Sequence, residues 1–431
     1  MYKNKISFYN VIKTISDSID LMSEEITGHH KLVAYVSLKI GLELKLEKSE
    51  LRKLVFSSLI HDIGILYFDE KIDDILRNRT NAEHAYVGYA LLNNHFPFEG
   101  YSEILKNHHW DWSKMESNKL NYLSNIINLA DITAHFMDRQ EKNILANSNS
   151  IIKKIENYSV NRINSRLLDV FKVLTVKESF WLDAINVKKR EKIIEKYVGD
   201  NLDIELNLNQ LLSISEIVSH IIDFRSPFTA NHSKGAATVS AEIAKDIGFA
   251  KEEIKIMKIA GYFHDIGKMS WPINILNKKG QLTKKEWALV KTHSYYSFNV
   301  LENISEIPEL KEWAGYHHET LDGKGYPFKL SENELSIGAK IMSIADIFTA
   351  LGEDRPYRNG YKKKKIIDIL SVKALDNKLD KEIVGLVIDN FDSYNSIRNE
   401  EQEKTINEYE FFKEKTFDEI TFRTFVLSYN L

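Results

Sequence analysis

Residues 252–263 read EEIKIMKIAGYF and run directly into HDIG at 264–267. Apolar side chains recur at i, i+3 and i+4, the spacing that lines one face of an α-helix, and Gly267 is read as the helix stop. The same periodicity fills most of the chain. Glycine and proline number only 18 and 6 in 431 residues, and apolar–polar alternation over strand length is rare. The expected fold class is therefore all-α.

Working outward from HDIG, the chain repeats itself. LIHDIG (59–64) returns as YFHDIG (262–267), TGHHKLVAYVSLKIG (27–41) as TANHSKGAATVSAEIAKDIG (229–248), and EHAYVGYALL (83–92) as THSYYSFNVL (292–301). NHHW (107–110) matches YHHE (316–319), and LADITAHF (129–136) matches IADIFTAL (344–351). The order is the same in both halves, and the offset widens by six residues after the HD pair and again after the HH pair. An internal repeat of this length means two tandem helical domains. We place the first copy at 1–185, a charged linker at 186–205, the second copy at 206–400 and a C-terminal extension at 401–431, expected to pack as an extra helix without chemistry of its own.

Composition excludes several classes. The net charge of −4 offers no global attraction for a nucleic-acid polymer or an acidic membrane surface. With no cysteine there is no disulfide framework, thiolate zinc site or cysteine nucleophile. No apolar stretch reaches the roughly 18 residues of a membrane span, and Lys13, Asp17 and Asp20 break any signal-peptide core, so a cytoplasmic protein is expected.

Histidine carries the functional signal. Ten of the 14 histidines fall on matched positions, and only His29, His95, His135 and His220 do not. Each copy presents H…HD…H…HH…D: His30, His61, Asp62, His84, His108, His109 and Asp131 in the first, and His232, His264, Asp265, His293, His317, His318 and Asp346 in the second. Imidazole and carboxylate without thiolate suit first-row ions such as Fe, Mn or Zn. Seven donors exceed one six-coordinate ion that keeps an open position, so two ions are expected, with the HD aspartate as a candidate bridge. Asp346 and Asp131 lie in apolar helical sequence, where a buried, unpaired carboxylate would cost several kcal/mol, and a cation is the natural partner.

HDIGK (264–268), HHETLDGKGYP (317–327) and ADIFTALGEDRPYR (345–358) together resemble the HD-GYP domain, a branch of the HD phosphohydrolases. The resemblance covers about 206–400 and, in degenerate form, about 1–185. It implies that the seven second-copy residues hold two divalent ions, Fe or Mn rather than Zn, with Asp265 bridging. It further implies that Asp265 and Lys268 are catalytic, that Lys268 touches a phosphate oxygen, and that Gly325, Tyr326, Pro327, Arg355 and Arg358 hold the substrate. The family reaction is metal-assisted attack of hydroxide on a cyclic dinucleotide, cyclic di-GMP or the hybrid 3',3'-cyclic GMP-AMP, giving linear dinucleotide or mononucleotides. Two positions depart from the family: Phe228 stands where some members place a glutamate for a third metal, and Thr320 where a basic residue is usual.

The first copy departs further. Ile65 replaces the lysine, DWSKMESN (111–118) replaces the GYP loop, and only Asp138 and Arg139 stand near the place of DRPYR. It keeps the residues of a possible second metal site while losing those that would grip a dinucleotide. The alternatives are an HD enzyme acting on a mononucleotide and a non-catalytic cyclic-dinucleotide receptor. Oligomeric state and the input signal have no signature in the sequence.

Overall fold

A computed structural model describes residues 5–23, 26–67, 83–93, 95–137, 143–223, 225, 231–354, 359–405, 407 and 414. Among them the only strands are the two-residue segments Ile6–Ser7 and Glu205–Leu206; the rest is helix and loop, as the all-α expectation requires. The chain divides into two compact units, Ser7–Glu205 and a second formed by Met1–Ile6 with Leu206–Leu431.

The helices carrying the candidate donors follow the same order in each unit. In the first they are His29–Glu43, Lys48–Leu59, a 3-10 turn at Ile63–Tyr67, Glu83–Leu92, Ser102–Lys106 and Lys119–Phe136. In the second they are His232–Ile247, Lys251–Phe263, a 3-10 turn at Ile266–Ser270, Thr292–Leu301, Pro308–Gly315 and Ile337–Gly352. The helix expected at 252–263 spans Lys251–Phe263, so it ends before Gly267, which lies inside the 3-10 turn rather than stopping the helix.

Helix ends are capped by side chains on their free amides. Ser336 Oγ accepts from the Ala339 amide, and Asn118 Oδ1 accepts from the Asn121 amide, opening the two helices that carry Asp346 and Asp131. Such caps contribute about 1 kcal/mol each. Within the first unit, Phe8 sits edge-on to Phe56, Phe98 and Tyr101 at centroid separations of 5.3, 5.8 and 6.0 Å, a ring cluster that anchors the entry helix Phe8–Asp20.

Residues 186–205 are not a linker. Val187–Asn201 is a helix of the first unit, with Ile194, Val198 and Leu202 buried along one stripe. Its Arg190 donates to the Gly28 carbonyl at 2.9 Å and its Glu191 pairs with Lys31 at 2.6 Å, which ties it to the start of the His29–Glu43 helix. Beyond residue 400, helix continues through 401–405.

Candidate metal centre

Two glycines allow the second unit to bring its candidate donors together. A Cβ on Gly261 would lie 2.3 Å from Ala237 Cα, so the Lys251–Phe263 and His232–Ile247 helices meet at backbone distance. A Cβ on Gly267 would lie 2.0 Å from the His293 carbonyl oxygen, which seats the turn after His264 and Asp265 directly on the helix carrying His293. Ser297 fastens that contact, accepting from the Gly267 amide at 3.0 Å and donating to the His264 carbonyl at 2.6 Å.

The tautomers follow from backbone geometry. Nδ1 of His264, His293 and His317 lies 2.7, 2.6 and 2.6 Å from the carbonyls of Gly261, Val290 and Ala314. A carbonyl only accepts, so each Nδ1 carries the proton and each Nε2 turns a lone pair inward. Nε2 of His293 and Nε2 of His317 then face each other at 3.1 Å, and buried His264 Nε2 has no hydrogen-bond partner. Opposed lone pairs in a dry interior need a cation between them.

Asp265 divides its carboxylate between two groups. Oδ2 lies 3.2 Å from His264 Nε2 and 3.6 Å from His232 Nε2, while Oδ1 lies 3.5 Å from His293 Nε2 and 4.0 Å from His317 Nε2. Asp346 Oδ1 completes the first group, 3.1 Å from His232 Nε2 and 3.9 Å from His264 Nε2. The donors thus form two sets, His232–His264–Asp346 and His293–His317–His318, each close enough to hold one ion, with Asp265 between them. Burial pushes His293 down to about 3 and His318 down to about 4, so both imidazoles are neutral donors near pH 7. Burial alone would raise Asp265 and Asp346, but His264 and Lys268 around the first, and the His232 hydrogen bond on the second, hold both far below the usual carboxylate range.

The expected substrate residues flank this centre. Lys268 Nζ donates to Asp265 Oδ2. The loop after HH is built on Glu319, whose carboxylate accepts from the amides of Phe328, Lys329 and Leu330 at 2.6, 3.2 and 3.1 Å. A Cβ on Gly325 would lie 2.4 Å from Glu319 Cα, so the Gly325–Tyr326–Pro327 stretch folds back tightly, and the Tyr326 ring comes to 4.7 Å from the His318 ring. Thr320 bonds Asp322 Oδ1 at 2.6 Å and serves the turn. Arg355, Arg358 and Phe228, and in the first copy Asp138 and Arg139, lie outside the described residues.

Several contributors went unread in the sequence. Glu353 Oε2 lies 3.0 Å from His232 Nδ1, and Gln402, in the extension expected to carry no chemistry, donates to Glu353 Oε1. Asp223 accepts from both the amide and the hydroxyl of Ser233, at 3.0 and 2.9 Å, pinning the residue next to His232. Glu353 lies within the quoted 345–358 motif and Asp223 a short way before His232, and a carboxylate near a candidate ligand is the only signal the sequence gives for them.

The first unit assembles its seven candidates in the same way. His61 Nδ1 donates to the Ser58 carbonyl at 2.8 Å and His108 Nδ1 to the Leu105 carbonyl at 2.6 Å. Asp62 Oδ2 lies 3.1 Å from His61 and 3.8 Å from His30, while Oδ1 lies 3.2 Å from His84 and 3.7 Å from His108. His109 Nε2 is 3.0 Å from His84 Nε2, and Asp131 Oδ1 is 3.9 Å from His61 Nε2. Ile65, at the place of Lys268, is buried and brings no charge. Among the described residues no helix is long and apolar enough to cross a membrane.

Residues 26–140 and 216–383 each match the HD-domain family. Over 393 residues the chain is 25% identical to 3'3'-cGAMP-specific phosphodiesterase 1 of Vibrio cholerae, covering 88% of this chain and 91% of the relative. It is 30% identical over 224 residues to a cyclic di-GMP phosphodiesterase of Thermotoga maritima, covering 51% of this chain and 59% of that relative. The crystal structure of the cyclic GMP-AMP specific phosphodiesterase V-cGAP3 of V. cholerae covers 92% of this chain and 98% of its own, with a TM-score of 0.64 and 21% identity, which shows a common fold.

Proposed function

We propose, for a chain that belongs to the HD-domain family and carries two HD domains in tandem, that the second domain is a metal-dependent phosphodiesterase hydrolysing a cyclic dinucleotide. The observation that carries this reading is the Asp265 carboxylate shared between two histidine sets, with Lys268 beside it and the Glu319-anchored loop next to His318. The relatives supply the substrate class: 3',3'-cyclic GMP-AMP for one, cyclic di-GMP for the other.

His232, His264, Asp346, His293, His317 and His318, with Asp265 between them, would hold two divalent ions, Fe or Mn. Bound there, such ions acidify water and neutralise phosphoryl oxygens as charge develops. The remaining work belongs to the chain. Lys268 places an ammonium where a non-bridging phosphate oxygen can share it with Asp265, stabilising charge in a site from which water is largely excluded. Tyr326 offers a ring face for a base, and Glu319 fixes the loop that carries it. Arg355 and Arg358 supply planar donors that can grip phosphate in pairs.

The test is a product profile. Full-length protein loaded with Mn(II), or anaerobically with Fe(II), is incubated with equal amounts of cyclic di-GMP and 3',3'-cyclic GMP-AMP. Conversion of either to linear product, abolished by Asp265→Ala, is expected and reads the base preference at once. Survival of both dinucleotides with metal bound would refute the assignment.

A further inference from the structure

His29 stands outside the repeated ligand pattern, yet the fold turns it into the first domain's centre. It is buried, and its Nε2 lies 3.1 Å from Asp131 Oδ1 and 3.9 Å from Asp62 Oδ2. Its donor atom forms a tight group with those of His61 and Asp62. The residue is placed, not accidental. Gly28 turns the chain at φ +74, its amide donates to Asp20 Oδ2 at 2.7 Å, and Asp20 Oδ1 holds His30 Nδ1 at 2.7 Å. One carboxylate therefore holds both the turn that precedes His29 and the ring of His30. Arg190 closes over the same turn through the Gly28 carbonyl.

A second observation points to a ligand between these groups. Nε2 of His30, His61 and His108 are all buried without a hydrogen-bond partner. Since Nδ1 of His108 is committed to a carbonyl, its Nε2 is a lone pair in a dry interior, a costly arrangement unless a cation is present, while Nε2 of His61 converges on the carboxylates of Asp62 and Asp131 at 3.1 and 3.9 Å.

We infer that the first domain is a second binuclear metal centre of divalent first-row ions, and that His29 closes it. Around its first position stand His29, His30, His61, Asp62 and Asp131, against His232, His264, Asp265 and Asp346 in the second domain, where Asn231 occupies the place of His29. A six-coordinate ion with five protein donors has one position left, while one with four has two. The extra imidazole takes the place an attacking water or a phosphoryl oxygen would need. The second position is set by Asp62, His84, His108 and His109. Loss of Lys268's counterpart to Ile65 and loss of the loop then accompany a more nearly filled coordination shell: the centre holds metal to stabilise the domain and does not turn over substrate. This inference does not depend on the activity of the second domain.

The test counts metal and water rather than activity. Full-length His264→Ala/His317→Ala protein is loaded with Mn(II), desalted, and assayed for bound metal and for the water-proton relaxation each ion produces. About two ions per chain are expected to remain, with low relaxation, as two-metal sites with few open positions require. Adding His29→Asn is expected to raise relaxation per bound ion by about a third, because one of the two ions gains one more exchangeable water. Loss of all metal, or a relaxation unchanged by His29→Asn, would overturn the inference. Should the double variant fail to fold, the reciprocal His61→Ala/His108→Ala protein is expected to lose about half of the Mn bound by the unaltered chain; an unchanged count would overturn it equally.

Discussion

Glu353 Oε2 lies 3.0 Å from Nδ1 of His232, and the other oxygen of that carboxylate accepts from Gln402. The candidate ligand that opens the second domain is therefore oriented by a residue from the end of another helix, itself held by a segment beyond the repeat. A buried carboxylate on the far nitrogen fixes the ring and raises the basicity of the nitrogen facing the metal. Glu353→Ala should weaken Mn(II) binding to the second domain about 10–100-fold, and Gln402→Ala by a smaller factor, in chelator competition. Equal affinity in both variants would show that the contact orients nothing.

Lys268 separates metal binding from turnover. Replacing it with isoleucine, the residue at the matched position 65, removes a charge but no metal donor. We expect the metal content of Lys268→Ile to match the parent while kcat falls about 100-fold, the usual cost of one electrostatic donor to a developing charge. A kcat within twofold of the parent would place the ammonium outside the reaction.

The loop predicts a different signature. Gly325→Ala would set a Cβ 2.4 Å from Glu319 Cα and push the Tyr326 segment away from His318. Because the loop supplies contacts rather than metal donors, KM should rise about tenfold, with bound metal unchanged. Loss of metal instead would mean that the loop supports His317 and His318 directly.

Acid should destabilise the metal-free protein through its buried imidazoles. His293 and His318 titrate near 3 and 4 in the fold, against 6.5 for a free imidazole. The unfolded chain thus takes up protons near pH 6.5 that the fold refuses. Their contribution is complete above 6.5 and is lost as pH falls towards 4 and 3, by about 1.4 kcal/mol per unit for each group. Thermal melts of chelator-treated protein should show Tm falling steadily from pH 7 to pH 4.5; a flat profile would contradict the buried, neutral assignment.

Much of this was legible in the residues. The helical periodicity of 252–263 gives the fold class, and the repeated H…HD…H…HH…D order gives fourteen candidate donors that the two repeated domains bring into two clusters. What escaped were contacts whose spacing carries no periodic signal. Glu353 lies 121 residues from His232 and Gln402 another 49 beyond, so only the folded backbone brings them together. His29 was masked by its neighbour His30, which aligned with His232 and drew the assignment. The helix at 187–201 reads as a linker because its charges outnumber its apolar residues, although Ile194, Val198 and Leu202 at four-residue spacing form a buried stripe.

The division of labour between the domains is tested most directly by disabling each centre in turn within the full-length chain and measuring hydrolysis of 3',3'-cyclic GMP-AMP and cyclic di-GMP. With His264→Ala, conversion should fall to background, while His61→Ala, altering the matched residue of the first domain, should retain turnover at the second centre. Hydrolysis that survives His264→Ala and disappears with His61→Ala would contradict the account.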